Sequence, residues 1–317
     1  MNKIKKFWWL GVVLAAGLIL WYRNNQSKLV SPEAPTAEIA RPLNQYRFEE
    51  LRQQVSIPSQ IEVKGEVFFF ETGGKRMSGQ IKIPTGNPPT GGWPVVIMLR
   101  GYVDQEIYET GVGTKNAAAY FSQNGYLTLA PDFLGFGQSD QPPNNTLEER
   151  FMRPVQILDL IASVKTLSFA DPERIHIWGH SNGGQIALSV LEISGQDYPA
   201  VLWAPVSKPF PYSILYYTDE SDDRGKALRR VLASFDALYE ADEFSIEHYL
   251  NFIQARIQIH QGTSDESVPL KWSQDLYKRL KELDKEVELY VYPGADHNLV
   301  GSWDEAAKRS LMLFRAD

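Results

Sequence analysis

Gly179-His180-Ser181-Asn182-Gly183 holds more potential chemistry than any other stretch of this chain. An apolar β-type run over 175–178 leads into it, and a helix-type run over 185–193 follows at once. Strand, tight turn, helix is the context that forces a serine into a strained conformation, with its hydroxyl raised above a sheet. Gly179 and Gly183 carry no Cβ, so strand and helix can pack closely around the turn. The backbone N–H of Asn182, at the N-terminus of the new helix, would point at an oxygen held over Ser181. A hydroxyl alone is a weak nucleophile: it needs a base, and the base needs an orienting acid.

In this arrangement base and acid follow the nucleophile in the order Ser, Asp/Glu, His. Five histidines are available. His176 falls within the elbow strand and reads as core, and His180 is pinned inside the turn. His248 lies in a segment without strands, and His260 ends a strand ahead of the acid. His297 alone follows a late strand in a Pro/Gly loop, Tyr292-Pro293-Gly294-Ala295-Asp296-His297, which can hold an imidazole over Ser181. Asp265 sits just past strand 257–260, where it could accept the His297 Nδ1–H bond. Glu266 is its local rival, and a helix N-cap ahead of Pro269 is the plainer role for Asp265. Asp296 adjoins His297 and is expected to point away.

An oxyanion needs a second donor, from the loop after the first central strand. That loop is Leu99-Arg100-Gly101-Tyr102-Val103-Asp104, so the Tyr102 N–H is expected to pair with that of Asn182. The Tyr102 hydroxyl could add a donor if the ring folds inward. The Gly135-Phe136-Gly137 loop lacks the third glycine of a dinucleotide fingerprint and the Gly-Lys-Ser/Thr of a P-loop, and reads as structural. No His/Asp/Glu cluster has metal-ligand spacing, so neither a metal nor another cofactor is expected.

Positioning these residues takes alternating strands and helices. Strand patterns run over 61–71 and 77–83, joined by Thr72-Gly73-Gly74 as an edge hairpin, then 94–99, 126–130, 175–178, 200–203, 257–260 and 287–292. Helical patterns run over 115–124, 147–168, 185–193, 273–283 and 304–314. The alternation implies a mostly parallel central sheet flanked by helices. No strand appears over 207–252, which reads as a small helical lid over the carboxyl ends of the strands, where ligands bind in open α/β sheets. A helical excursion packed away from the site is the alternative. Tyr212, Tyr216 and Tyr217 of this insert are the candidate substrate-binding residues. Its run Asp219, Glu220, Asp222 and Asp223 reads as a solvated charge run, with amine binding as the alternative.

The 317 residues suit one large α/β domain, and a 43% hydrophobic composition can fill its core. A net charge of −7 without a basic stripe argues against nucleic acid as partner. The absence of cysteine excludes disulfides, thiol catalysis and zinc–thiolate sites. Lys3, Lys5 and Lys6 precede an uncharged run over 7–22, about 16 residues or roughly 24 Å as a helix. Trp8 and Trp9 at one end and Trp21 and Tyr22 at the other match interfacial belts. We read 1–22 as an uncleaved signal anchor with a cytoplasmic N-terminus, a cleaved signal peptide being the alternative. On this reading 23–45 is a linker, and 46–317 is a catalytic domain outside the cytoplasm, at the cell membrane, taking a small ester or peptide substrate.

With these residues in view, the chain from about Ile61 onward resembles the α/β-hydrolase superfamily. Within it the likeness is to the catalytic domain of the prolyl oligopeptidase family of serine peptidases, and dienelactone-hydrolase-like esterases share the motifs. Gly179-His180-Ser181-Asn182-Gly183-Gly184, Gly262-Thr263-Ser264-Asp265 ahead of Val268-Pro269, and Gly294-Ala295-Asp296-His297 carry the resemblance. It implies a triad of Ser181, Asp265 and His297 and a serine peptidase or carboxylesterase activity. The alternative is a binding module on the same fold. Two features depart from the family. Arg100 stands where a His-Gly or Gly-Gly pair is usual, and the chain has no room for the N-terminal β-propeller that filters substrates in the full peptidases.

Overall fold

Apolar runs alternating with amphipathic ones build a layered structure, seen in a computed structural model that describes residues 41–218 and 223–316. The proposed anchor and most of the linker lie outside the described residues, as do Asp219, Glu220 and Asp222 of the acidic run. Among the described residues no helix is long and apolar enough to cross a membrane.

The strands are β1 (Glu62–Lys64), β2 (Val67–Thr72), β3 (Lys75–Lys82), β4 (Trp93–Leu99), β5 (Leu127–Pro131), β6 (Ala170–His180), β7 (Ala200–Trp203), β8 (Ile257–Gly262) and β9 (Val287–Tyr292). They form one sheet in the order β1-β2-β3-β5-β4-β6-β7-β8-β9. β1, β2 and β3 are antiparallel, and every pair from β5 to β9 is parallel. The expected single strand over 61–71 is two strands joined by a turn at Gly65-Glu66. A lone glycine inside a strand-like pattern is the signal for such a break. The elbow strand is much longer than its apolar stretch, because β6 begins at Ala170, which pairs with Trp93.

The main helices are α1 (Lys115–Gln123), α2 (Thr146–Ser163), α3 (Asn182–Ser194), α4 (Lys226–Asp236), α5 (Leu270–Glu282) and α6 (Trp303–Arg315). Side chains of β4 alternate between two cores, as the period of 2 in a strand demands. Val95, Ile97 and Leu99 face the core shared with α2, α3 and α5. Val96 and Met98 face the one shared with α1 and α6. A sheet covered on both faces explains why β4 reads as a continuous apolar run.

Between β7 and β8 the chain forms a one-turn helix at Tyr212–Leu215, then α4, then short 3-10 turns, with no strand among its described residues. Phe210, Leu232, Phe235, Tyr239 and Phe244 of this insert form a third core with Leu147 and Phe151 of α2. The aromatic part of the insert therefore rests on α2, while Ile246, Tyr249 and Leu250 near its end join the core beneath α3.

One buried group is out of place. Glu192 of α3 is fully covered, and both its carboxyl oxygens lack a hydrogen-bond partner among the described residues. Burial raises its pKa well above the usual carboxyl range, against a smaller opposing pull from Arg52. The folded chain thus holds a proton that the unfolded chain releases above about pH 4.3. Stability conferred by the neutral acid falls as pH rises from that value toward the folded-state pKa. In Glu192→Gln this loss disappears, so the melting temperature of the variant should gain on that of the parent, by a few degrees, between pH 5 and pH 8. Parallel thermal melts with no widening gap would contradict the assignment.

Candidate active site

Ser181 joins β6 to α3 at φ 56° and ψ −119°, a strained conformation for a residue with a side chain. The turn is closed by backbone bonds from Ser181 N–H to the Trp203 carbonyl and from the Gly184 and Val206 N–H groups to the Ser181 carbonyl. A Cβ on Gly183 would stand 2.0 Å from the Leu99 carbonyl oxygen, so only glycine lets α3 start this close to β4.

Asp265 and His297 come together because β8 and β9 are parallel neighbours whose last residues, Gly262 and Tyr292, are paired. The two loops beyond them are stitched by bonds from Thr263 N–H to the Tyr292 carbonyl and from Ser264 N–H to the Ala295 carbonyl. Across this seam His297 Nδ1–H donates to Asp265 Oδ2 at 2.8 Å, and the Asp265 side chain has no exposed surface. The second oxygen, Oδ1, accepts the N–H groups of Ser267 and Val268 at 2.9 and 2.8 Å. Asp265 is therefore not the helix N-cap that the sequence also allowed: α5 starts after Pro269 without a side-chain cap, and Oδ1 instead closes the turn of its own loop while Oδ2 orients the imidazole. Burial pushes the Asp265 pKa up, but bonds from His297, Val268 and Gln261 together outweigh it and hold the group below the usual carboxylate range. Glu266 is exposed and takes no part, and Asp296 turns to the N–H groups of Asn298 and Val300.

His180 has a role that sequence reasoning missed. Its Nε2–H donates to the His297 carbonyl at 2.9 Å, and the two imidazoles lie 4.6 Å apart. The bond ties the elbow to the loop that carries His297. Burial, then the adjacent His297, push the His180 pKa down to about 4, so it clamps as a neutral ring. Among the described residues no hydrogen bond joins Ser181 Oγ to His297, as is common in sites without substrate. Gln261 was also missed. It donates to Asp265 Oδ2 at 2.8 Å and is itself held by Ser273. His176 and His260 are core residues, and His248 approaches Asp242 in the insert.

Arg100 has turned away from the nucleophile. Its guanidinium is buried over the rings of Phe136 and Tyr108, at 4.3 and 4.5 Å. Nη1 donates to the Gly101 carbonyl and Nη2 to the Asp132 carbonyl, each at 3.0 Å. Asp132 accepts in turn from Ser78, Tyr108 and Thr110, which makes the 131–140 loop a brace beneath this turn. In a trans peptide the carbonyl and the following N–H point in opposite directions. Holding the Gly101 carbonyl therefore aims the Tyr102 N–H away from Arg100. Gly101 itself lies against the nucleophile, since a Cβ there would be 3.0 Å from the Ser181 Cβ. Among the described residues neither the Tyr102 nor the Asn182 N–H is taken by an internal acceptor. The Tyr102 ring does not fold inward: the residue is 78% exposed, and its hydroxyl donates to Asp104 at 2.6 Å.

Tyr212, Tyr216 and Tyr217 gather around Trp272 at the start of α5, with Tyr216 nearest at 4.7 Å between ring centroids. Tyr217 donates its hydroxyl to the Ser267 carbonyl, inside the loop that Asp265 closes. The insert thereby leans on the acid's loop. Tyr212 and Tyr216 are 48% and 40% exposed, free to meet a ligand. Among the described residues no group of three or more His, Cys, Asp or Glu side chains could hold a metal.

A mostly parallel sheet with flanking helices and a serine at a strained strand–helix junction defines a serine hydrolase of the α/β-hydrolase fold. Solved structures share that fold. An acetyl xylan esterase from Paenibacillus sp. R4 matches with a TM-score of 0.61 and 18% identity, over 85% of this chain and 92% of that one. Est1E from Butyrivibrio proteoclasticus, solved with ferulic acid bound, matches with a TM-score of 0.58 and 18% identity, over 78% of this chain and 99% of that one. Residues 113–314 match the prolyl oligopeptidase family model, and the chain belongs to that family. It is 26% identical over 244 residues to the uncharacterized peptidase YtmA of Bacillus subtilis, covering 76% of this chain and 88% of that protein. It is 23% identical to dipeptidyl peptidase 4 of Bos taurus, spanning 82% of this chain but only 33% of that longer protein.

The anchoring of the oxyanion loop by Arg100 yields a test. Arg100→Met keeps the apolar volume between the two rings but removes both carbonyl bonds. With any ester that the enzyme turns over, kcat should fall about tenfold to hundredfold while KM changes little, and Arg100→Lys should recover part of the loss. A variant with unchanged kcat would show that the loop holds its shape without the guanidinium.

Proposed function

We propose that this serine hydrolase cleaves a small ester or peptide bond through an acyl-enzyme, with Ser181 as nucleophile, His297 as base and Asp265 as the orienting acid. The observation that carries the reading is the 2.8 Å bond from His297 to the covered Asp265, beside a serine raised at φ 56°. His297 Nε2 takes the Ser181 proton as Oγ attacks the carbonyl carbon. The tetrahedral oxyanion is received by the Tyr102 and Asn182 N–H groups. Its collapse breaks the bond to the leaving oxygen or nitrogen, which takes the proton from His297. Water, deprotonated by the same imidazole, then releases the acid and restores the serine. Asp265 keeps its proton-free form throughout and stabilises the imidazolium. Tyr212, Tyr216 and Tyr217 form one wall for the substrate.

Membership of the peptidase family favours a peptide bond. An ester is the second reading, supported by the fold shared with the acetyl xylan esterase. The proposal includes a location: residues 1–22 anchor the chain with a cytoplasmic N-terminus, 23–45 serve as a tether, and residues 46–317 work outside the cytoplasm under a lid over 207–252. Its support is the lysine-led, aromatic-flanked apolar run at the N-terminus.

A fluorophosphonate probe should label the parent protein and not Ser181→Ala; equal labelling of both would sink the assignment of the nucleophile. Rates on short 4-nitrophenyl esters set beside aminoacyl-4-nitroanilides decide between ester and peptide. The full-length chain should stay with membranes through alkaline carbonate washing, and a probe that cannot enter cells should still label it. Release by the wash, or labelling only after lysis, would contradict the proposed location.

A further inference from the structure

Beside the elbow, between α2, α3 and the insert, lies a small pocket of about 50 Å³ that opens to solvent. That is room for a few water-sized groups, the scale of a short chain and its polar end. Asn182, the residue after the nucleophile, lines it. Much of the wall is apolar, including Phe151, Phe210 and Phe244. Two guanidiniums, Arg150 and Arg153, also line it. Arg153 is neutralised by Glu149 at 2.7 Å. Arg150 has no such partner: among the described residues its hydrogen bond is to the side-chain oxygen of Gln185, a neutral amide, and no carboxylate forms an ion pair with it. Gln185 is held in place by its own bond to the Lys208 carbonyl at 3.2 Å. It lies one helical turn beyond Ser181, about 6 Å along the axis of α3. A cation in a largely apolar pocket, whose nearest carboxylate, Glu149, is already paired with Arg153, is costly to fold, and an anion supplied from outside relieves that cost.

The side of the substrate that meets Arg150 follows from the layout. The leaving group must be protonated by His297, whose loop runs on into α6 on one face of the sheet. Arg150 belongs to α2, which packs on α3 on the opposite face. A group reaching Arg150 therefore belongs to the acyl half of the substrate. We infer that Arg150 selects substrates whose acyl portion ends in a carboxylate, such as a half-ester of a dicarboxylic acid or a peptide with an acidic residue on the acyl side of the scissile bond. The aromatic wall takes the intervening methylenes, and the positive end of α3 adds to the field of the guanidinium. The other charged groups facing Arg150 are Arg153, Glu149 and the Tyr217 hydroxyl. Burial and then Arg153 bring its pKa down only to about 10, so it is charged at neutral pH.

This inference rests on Ser181 being the nucleophile, and the test separates the two. Mono-4-nitrophenyl adipate and 4-nitrophenyl hexanoate present the same reacting ester on acyl chains of equal carbon number, one ending in a carboxylate. The full-length parent should favour the adipate half-ester in kcat/KM by about tenfold or more. Arg150→Gln should lower that ratio by about tenfold or more, and Arg150→Lys should keep most of it. A parent ratio at or below one overturns the proposal, as does a ratio that Arg150→Gln leaves unchanged. Fluorophosphonate labelling of the same samples reports on the nucleophile: a parent that is not labelled overturns the underlying reading. If Arg150→Gln loses labelling through misfolding, adipate competition decides. Adipate should slow labelling of the parent more than chloride at equal ionic strength, and equal slowing overturns the proposal.

Discussion

A serine at φ 56° between β6 and α3 persists only where its surroundings over-determine the turn. Here three backbone bonds converge on it, and Gly183 sits where any side chain would strike the Leu99 carbonyl. The contact with Leu99 makes the start of α3 part of the same rigid unit as β4, and the oxyanion loop begins at the next residue. Nucleophile and candidate oxyanion donors are thus fixed to each other by the centre of the sheet. The position of His297 is set independently, by the seam between the β8 and β9 loops, and His180 ties that seam back to the elbow through one bond. The geometry depends on two rigid halves and a clamp.

The insert is organised on a different principle. Its aromatic core closes against α2, and its contact with the catalytic side is made by tyrosines packed on Trp272 and by one hydroxyl bond to the loop of Asp265. The insert also forms one side of the pocket that holds Arg150.

Much of this was legible in the sequence because strand ends are marked by a change of period and by glycine. The alternation of strand and helix patterns, the continuous apolar run of β4 and the abrupt start of α3 pointed to the parallel sheet and the elbow directly. The loop residues Asp265 and His297 could be placed at strand ends, but only the β8–β9 pairing explains how they meet. Local pattern failed where a contact is remote in sequence. Nothing near Arg100 indicated that it would turn back onto Phe136 and Tyr108, and nothing near His180 or Arg150 pointed to partners 117 and 35 residues away. The turn at Gly65 was missed for a simpler reason: one glycine between apolar stretches is a weak break in an otherwise strand-like run.

The two oxygens of Asp265 have separate occupations, one holding backbone N–H groups and the other the imidazole and Gln261. The loop takes its shape around the ionised carboxylate before any substrate arrives. If His297 is the base we propose, the groups that answer its developing positive charge already point the right way. On the proposed mechanism, part of the reorganisation that water would need for the same proton transfer is completed during folding.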